Sequence, residues 1–319
     1  MMNAGMSRLL LTRLATAAGT LLFVAAAVFV TTTMLPGDVA QEILGQSATP
    51  EAVAALRHGL GLDRPPVERF LSWLGGLLVG DPGLSLVNGV PVATLIGGRL
   101  SNSLLLAAVT AAVSVPLALL LGVSSAMLRG SIYDRVVGTA TIFVVSVPEF
   151  LVASLAVLVF AVKLRWLPAL AQAPQGHGLL DLMRSFAMPI VTLTFVIVAQ
   201  MARMTRAAVI DTLAAPYVEM ARLKGAGPIR IVLTHALPNA IGPIANAVAL
   251  SLSFLLGGVI IVETIFNYPG IAKLMVDGVA TRDLPVVQAC ALIFCAGYLL
   301  LVMLADIAAI LSNPRLRHR

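Results

Sequence analysis

Charge is scarce in this chain. Only 11% of its 319 residues are Asp, Glu, Lys or Arg, and 59% are hydrophobic. Soluble domains carry about 25% charged residues, so a soluble globular protein is excluded. Cysteine is nearly absent. Cys290 and Cys295 lie five apart in one apolar run and do not share a helix face well, so a disulfide framework is not expected and both read as small core residues. The four histidines, His58, His177, His235 and His318, show no metal-ligand spacing, so no metal site is expected. No Gly-x4-Gly-Lys-Ser/Thr phosphate loop occurs. The chain is therefore not expected to bind a nucleotide by that route, and any ATP-driven work would fall to another polypeptide. The net charge of +6 forms no basic stripe with interleaved aromatics, which argues against a nucleic-acid partner.

What is present is a series of apolar runs reaching the roughly 20 residues that cross a bilayer. Arg8 and Arg13 precede the first, at about 14–34. That run exceeds the core of a secretory signal and lacks a clear cleavage site, so it is a spanning helix. Leu35-Pro36-Gly37-Asp38 ends it. Residues 35–98 are mixed in character and read as an outward-facing insertion on the membrane surface. Within them Thr49-Pro50-Glu51 starts a helix, about 66–79 is amphipathic through Phe70, Trp73, Leu74 and Leu77, and Gly80-Asp81-Pro82-Gly83 is a turn. Further spans are expected at about 101–127, 136–162 (interrupted by Pro148), from Pro189 to the Arg203–Arg206 region, 240–262 and 284–311. A polar outer loop is expected over 163–184. Twelve of the 21 Lys and Arg fall in short segments on one side, which sets that side as cytoplasmic. The expectation is an all-α membrane protein with six transmembrane helices and both termini inside. Its parts are 1–34, the insertion 35–98, a five-helix core 99–312 and a tail 313–319.

Between two apolar runs lies Tyr217-Val218-Glu219-Met220-Ala221-Arg222-Leu223-Lys224-Gly225, followed by His235-Ala236-Leu237-Pro238-Asn239. Pro216 suits a first helical turn, where its missing N–H would have no partner anyway. Glu219 sits toward the N-terminal end and Arg222 and Lys224 toward the C-terminal end, as the helix dipole favours. Gly225 or Gly227 closes the helix in the left-handed conformation, and Pro228 is expected to stop it. The spacing of Glu219, Ala221, Gly225, Leu237 and Pro238 resembles the loop signature of permease subunits of ATP-binding-cassette (ABC) importers, with Met220 and His235 as departures. The wording Tyr-Val-x-x-Ala-Arg-x-Lys-Gly, with His-x-Leu-x-Asn, is similar to the dipeptide/oligopeptide/nickel branch. So is the order Leu-Pro-Gly-Asp, Ala-Thr-Pro-Glu, Gly-Leu-Asp, Gly-Asp-x-Gly-x-Ser along the insertion.

The resemblance implies a type I importer permease fold in a bacterial inner membrane. It implies a cytoplasmic coupling helix at 215–227 that docks on an ATPase through Tyr217, Glu219, Ala221, Arg222, Lys224 and Gly225. It also implies the partners: a second, related permease, two ATPase subunits carrying ATP and Mg, an external substrate-binding protein and a peptide substrate. The element Glu263 to Ala272, with Pro269-Gly270 as a tight turn before a short helix, resembles one common to such permeases, and a structural role is expected for Glu263.

Glu149 follows Pro148 inside an apolar run, and an ionisable group there is costly unless paired or facing water. It either meets a substrate amine in the pathway or pairs structurally near the membrane edge, and the resemblance assigns it no role. Asp306 reads as the partner of a polar neighbour. Three other readings stand beside peptide import. A nickel or other small-solute importer belongs to the same branch. An ion-coupled secondary transporter would want inverted repeats and acids at mid-membrane. An intramembrane enzyme would need a nucleophile with a base or a metal site. Neither set of features is visible.

Overall fold

The computed structural model describes residues 4–34, 38–171 and 179–312. The expected break at Leu35-Pro36-Gly37, part of the expected outer loop, His177 and the tail 313–319 lie outside the described residues. All regular elements among the described residues are helices: α1 Ala4–Thr33, α2 Val39–Leu44, α3 Pro50–Gly59, α4 Pro66–Leu78, α5 Val92–Met127, α6 Ile132–Ser146, α7 Glu149–Ala156, α8 Leu179–Leu213, α9 Pro216–Leu223, α10 Pro228–Arg230, α11 Leu237–Ile265, α12 Ile271–Ala280 and α13 Leu284–Ser312. π-helical turns extend α7 through Val157–Lys163 and join α10 to α11 through Ile231–Ala236. Five helical stretches are long and apolar enough to span a membrane; the pair α6 and α7 makes a sixth if it counts as one span.

Several expected boundaries move. α5 begins at Val92 rather than near Ser101. Pro189 lies inside α8, which is already helical at Leu179, so it does not mark a first turn. Pro116 and Pro243 likewise sit inside helices. A long spanning helix tolerates proline where neighbouring groups satisfy the freed carbonyl. Pro228 starts α10 instead of merely ending the segment before it, because at the first position of a helix it forfeits no hydrogen bond. The interruption at Pro148 is a sharp one: α6 and α7 meet at 93°. Val147 is extended before the proline, as X-Pro sterics require.

The chain forms two compact units. One comprises Ala15–Leu104 and Pro269–Gly297. Here Thr49 caps α3, accepting from the Ala52 N–H at 3.2 Å. The apolar face of α4 closes on Phe29, whose ring lies 5.3 Å from Phe70 and 6.1 Å from Trp73. Arg57 bridges Asp38 at 2.7 Å and Asp63 at 3.1 Å. Val92, Ile96, Ile271, Leu274, Val286 and Cys290 form a buried core. The Asp283 carboxylate accepts from Ser85 Oγ and, at 3.0 Å, from the Leu86 N–H. Asn102 donates to the Pro269 carbonyl at 2.9 Å, and Ser103 Oγ accepts from the Ile271 N–H at 2.8 Å. The positive φ at this corner belongs to Asn267, at 50°, while Gly270 is extended.

The second unit comprises Met1–Leu14, Leu105–Tyr268 and Tyr298–Arg319. α8 packs along α11, with α6 and α7 against α8 and α7 also against α11. Ala126, Val209 and Ala240 close a core where α5, α8 and α11 meet. At Gly122 the helices come so close that a Cβ would stand 2.7 Å from the Ala202 carbonyl oxygen, the small-residue contact favoured between membrane helices. Arg13 pairs with Asp306 at 3.2 Å.

Candidate functional site

α9 is a two-turn helix held from one side. Val218 and Ala221 are buried, and the helix packs on Ile231–Ala236 and the end of α8. The three-residue spacing of Val218 and Ala221 puts them on one face. The opposite face carries Met220 and Leu223, 54% and 77% exposed, and Tyr217, one turn before Ala221 at the edge of the buried face, is 44% exposed. Glu219, Arg222 and Lys224 are exposed beside them. Gly225 at φ +83° ends the helix. Its N–H reaches the Arg222 carbonyl at 2.9 Å, and the Ala226 N–H reaches that of Ala221 at 3.1 Å. These two bonds make a Schellman close, in which the position after the cap needs a left-handed residue. Of the two candidate glycines it is Gly225 that takes this conformation; Gly227 is extended and leads into α10. The segment thus brings together Tyr217, Glu219, Ala221, Arg222, Lys224 and Gly225, with Ala221 facing inward and the rest exposed.

About two turns before the end of α8 is an ion pair that no local sequence pattern announces. Arg206 donates through Nε and Nη2 to the two carboxylate oxygens of Asp134, at 2.6 and 2.8 Å. Asp134 also accepts from Ser125 Oγ at 2.5 Å and from the Gly130 N–H at 2.9 Å. Asp134 is buried. The bidentate pair locks the α5–α6 turn to the stretch of α8 leading into α9. The available signal, for Asp134 alone, was an acid set among the basic residues of a short loop, between Arg129 and Arg135.

Pro148 and Glu149 stand at the bend between α6 and α7. Pro148 is extended and exposed, and Glu149 opens α7. Glu149 lines a cavity of about 510 Å³, together with Gln200 and Arg203 of α8 and Ser251, Gly257 and Gly258 of α11. Glu263 lies elsewhere, fully buried near the end of α11. Burial, and then the nearby charge of Glu263, push the Tyr268 phenol above its ordinary value. Pro269 and Gly270 lead into α12. Among the described residues no cluster of His, Cys, Asp and Glu suited to a metal ion occurs.

Among the described residues, five helical stretches, or six if α6 and α7 count as one, are long and apolar enough to cross a membrane, which defines the class as a multi-pass membrane protein. Residues 114–318 match the family described as binding-protein-dependent transport system inner membrane component, and residues 6–102 match its N-terminal companion. The chain belongs to this family: it is an inner-membrane permease subunit of a binding-protein-dependent ABC import system. It is similar to a probable peptide ABC transporter permease of Sinorhizobium fredii, 34% identical over 309 residues, covering 97% of this chain and 99% of that one. A Brucella abortus protein named as a peptide transport system permease is 36% identical over 313 residues, 98% of this chain and 100% of that one. The glutathione transport system permease GsiC of Escherichia coli K12 is 36% identical over 300 residues, 94% and 95% of the two chains.

Proposed function

We propose that this chain is one of two permease subunits in an ATP-driven importer of short peptides, and that α9 couples it to a separate ATPase. The observation that carries the coupling is the outward face of α9. Tyr217, Met220 and Leu223 are large, apolar and exposed on a helix already anchored from behind by Val218 and Ala221. Such a patch, rimmed by Glu219, Arg222 and Lys224, fits a protein partner. The names of the relatives, two for peptides and one for glutathione, itself a tripeptide, support a short-peptide substrate.

On this reading the fold is that of a type I importer permease with six spans, α6 and α7 together forming the third. Both termini and α9 lie in the cytoplasm, and residues 35–98 form the extracytoplasmic insertion. The complex holds a second permease, two ATPases that bind ATP and Mg²⁺, and an external binding protein. ATP binding draws the ATPases together. α9 passes that motion into α8 and α11, directly on one side and through the Ile231–Ala236 turn on the other. The cavity then opens outward to receive substrate, and hydrolysis resets the population of states.

The test is uptake of a labelled dipeptide, glutathione, a longer peptide and nickel in cells with and without this chain, with an ATP-depletion arm. Peptide uptake that needs both the chain and ATP supports the reading. Loss of nickel uptake alone overturns the substrate and leaves the subunit assignment in place. Peptide uptake that survives ATP depletion but collapses with an uncoupler points to ion coupling and overturns the mechanism.

A further inference from the structure

The cavity at the bend holds two charges of opposite sign that do not pair with each other. Glu149 packs its carboxylate against Gly258; a Cβ built on that glycine would stand 2.5 Å from one carboxylate oxygen and 2.8 Å from the other. The absence of a side chain at Gly258 is what gives the carboxylate its place. Among the described residues no hydrogen bond or ion pair reaches it. On α8, Arg203 donates to Gln200 Oε1 at 3.1 Å and meets no carboxylate among the described residues. A third group is also unanswered. Ser251, 1% exposed, lines the same cavity, and its Oγ has no hydrogen-bond partner among the described residues. Ser251 lies seven residues, two helical turns, before Gly258, so it falls on the same face of α11. Much of the remaining wall is apolar, with Leu193, Ile197 and Phe254.

The half-buried Glu149 carboxylate and the buried Ser251 hydroxyl are costly without a partner, while Arg203, exposed on α8, brings a cation to the same cavity. All three groups are satisfied together by one ligand with a cation at one end, an anion at the other and hydrogen-bonding groups between. We infer that the cavity is a zwitterion site. Glu149 receives the ammonium of a free peptide N-terminus, Arg203 receives the C-terminal carboxylate, and Ser251 bonds the peptide backbone; this deepens, and rests on, the peptide-importer reading above.

Glu149 at the bend and Arg203 on α8 line one cavity, and an extended peptide advances about 3.3–3.6 Å per residue, so the ligand that spans it is a short peptide. A cavity of about 510 Å³ falls in the range of small-ligand sites.

The experiment uses the full complex in proteoliposomes with its binding protein and ATP. The probes are labelled trialanine, its N-acetylated form and its C-terminal amide. Transport of each is scored relative to capture by the binding protein. Wild type is expected to favour trialanine over either capped form by about tenfold. Glu149→Gln removes the discrimination against the acetylated form and leaves that against the amide. Arg203→Gln does the reverse. Glu149→Asp restores most of the first preference, which a merely structural role would not do. ATP-dependent uptake with wild-type ratios in both variants overturns the zwitterion site while the importer reading stands. No ATP-dependent uptake of any probe by the wild-type complex overturns the importer reading itself.

Discussion

Replacing Asp134 with alanine removes the shared acceptor of Arg206, Ser125 and the Gly130 N–H. The carboxylate is 6% exposed and takes both donors of the guanidinium fork, at 2.6 and 2.8 Å. Breaking a buried pair from one side costs about 3–5 kcal/mol, mainly because the surviving charge is left uncompensated. Arg206 keeps 32% of its side-chain surface, so water takes up part of that charge and the lower end, about 3 kcal/mol, is expected. For a unit of this size that corresponds to a fall of roughly 6–12 °C in melting temperature. Thermal unfolding of the purified complex measures it. The double replacement Asp134→Leu with Arg206→Leu removes both charges and is expected to melt above the single variant, since an apolar pair of similar volume is often no worse than a buried ion pair. A single variant that melts within about 1 °C of wild type, or a double variant no better than the single one, refutes the reasoning. Because the pair braces the stretch of α8 leading into α9, Asp134→Ala is also expected to lower the uptake obtained per ATP hydrolysed.

Gly122→Ala forces a Cβ to 2.7 Å from the Ala202 carbonyl oxygen and from Thr205 Cβ. Overpacking costs about 1–3 kcal/mol, and a melting temperature equal to wild type would contradict the close approach of α5 to α8. Leu223→Asp places a charge on the exposed face of α9, so it is expected to leave the chain's own melting temperature unchanged while ATPase co-purification and uptake fall; retention of both sinks the docking assignment. The Asp38 carboxyl is raised by burial, but the Ala40 N–H, the Arg57 guanidinium and the Gln41 N–H outweigh that and hold it below its ordinary 3.8. A depressed carboxylate gives stability that is present above 3.8 and lost as pH falls through the lowered value. Asp38→Asn is therefore expected to lower thermal stability at pH 7 and to make no difference at about pH 2; an equal difference at both pH values would show that the charge is irrelevant.

Part of the candidate site was legible in the sequence because it is local. Pro216, the Glu219-to-Lys224 charge order and Gly225 specify where α9 begins and ends, and each acts within one or two turns of itself. Thr49-Pro50-Glu51 and the Phe70–Trp73 face read correctly for the same reason. Proline was read less well. The local rule that makes proline a boundary holds at Pro228, which starts α10 after α9 has ended, and fails at Pro189, which lies inside α8, because in a long span packing decides whether a helix continues.

By itself the sequence determined the membrane class, the approximate spans, the short helix that begins at Pro216 and an ionisable residue at the Pro148 break. Apolar run length, capping chemistry and charge placement are properties of neighbouring residues. Tertiary structure alone decided what those residues meet. Asp134 and Arg206 are 72 positions apart, and nothing in either local sequence names the other. The 93° turn at Pro148 carries Glu149 onto a glycine of α11, and α8 brings Arg203 to the same cavity. A charge in a membrane is costly wherever it sits; only the packing of helices distant in sequence decides whether it is paired, exposed or left to receive a ligand.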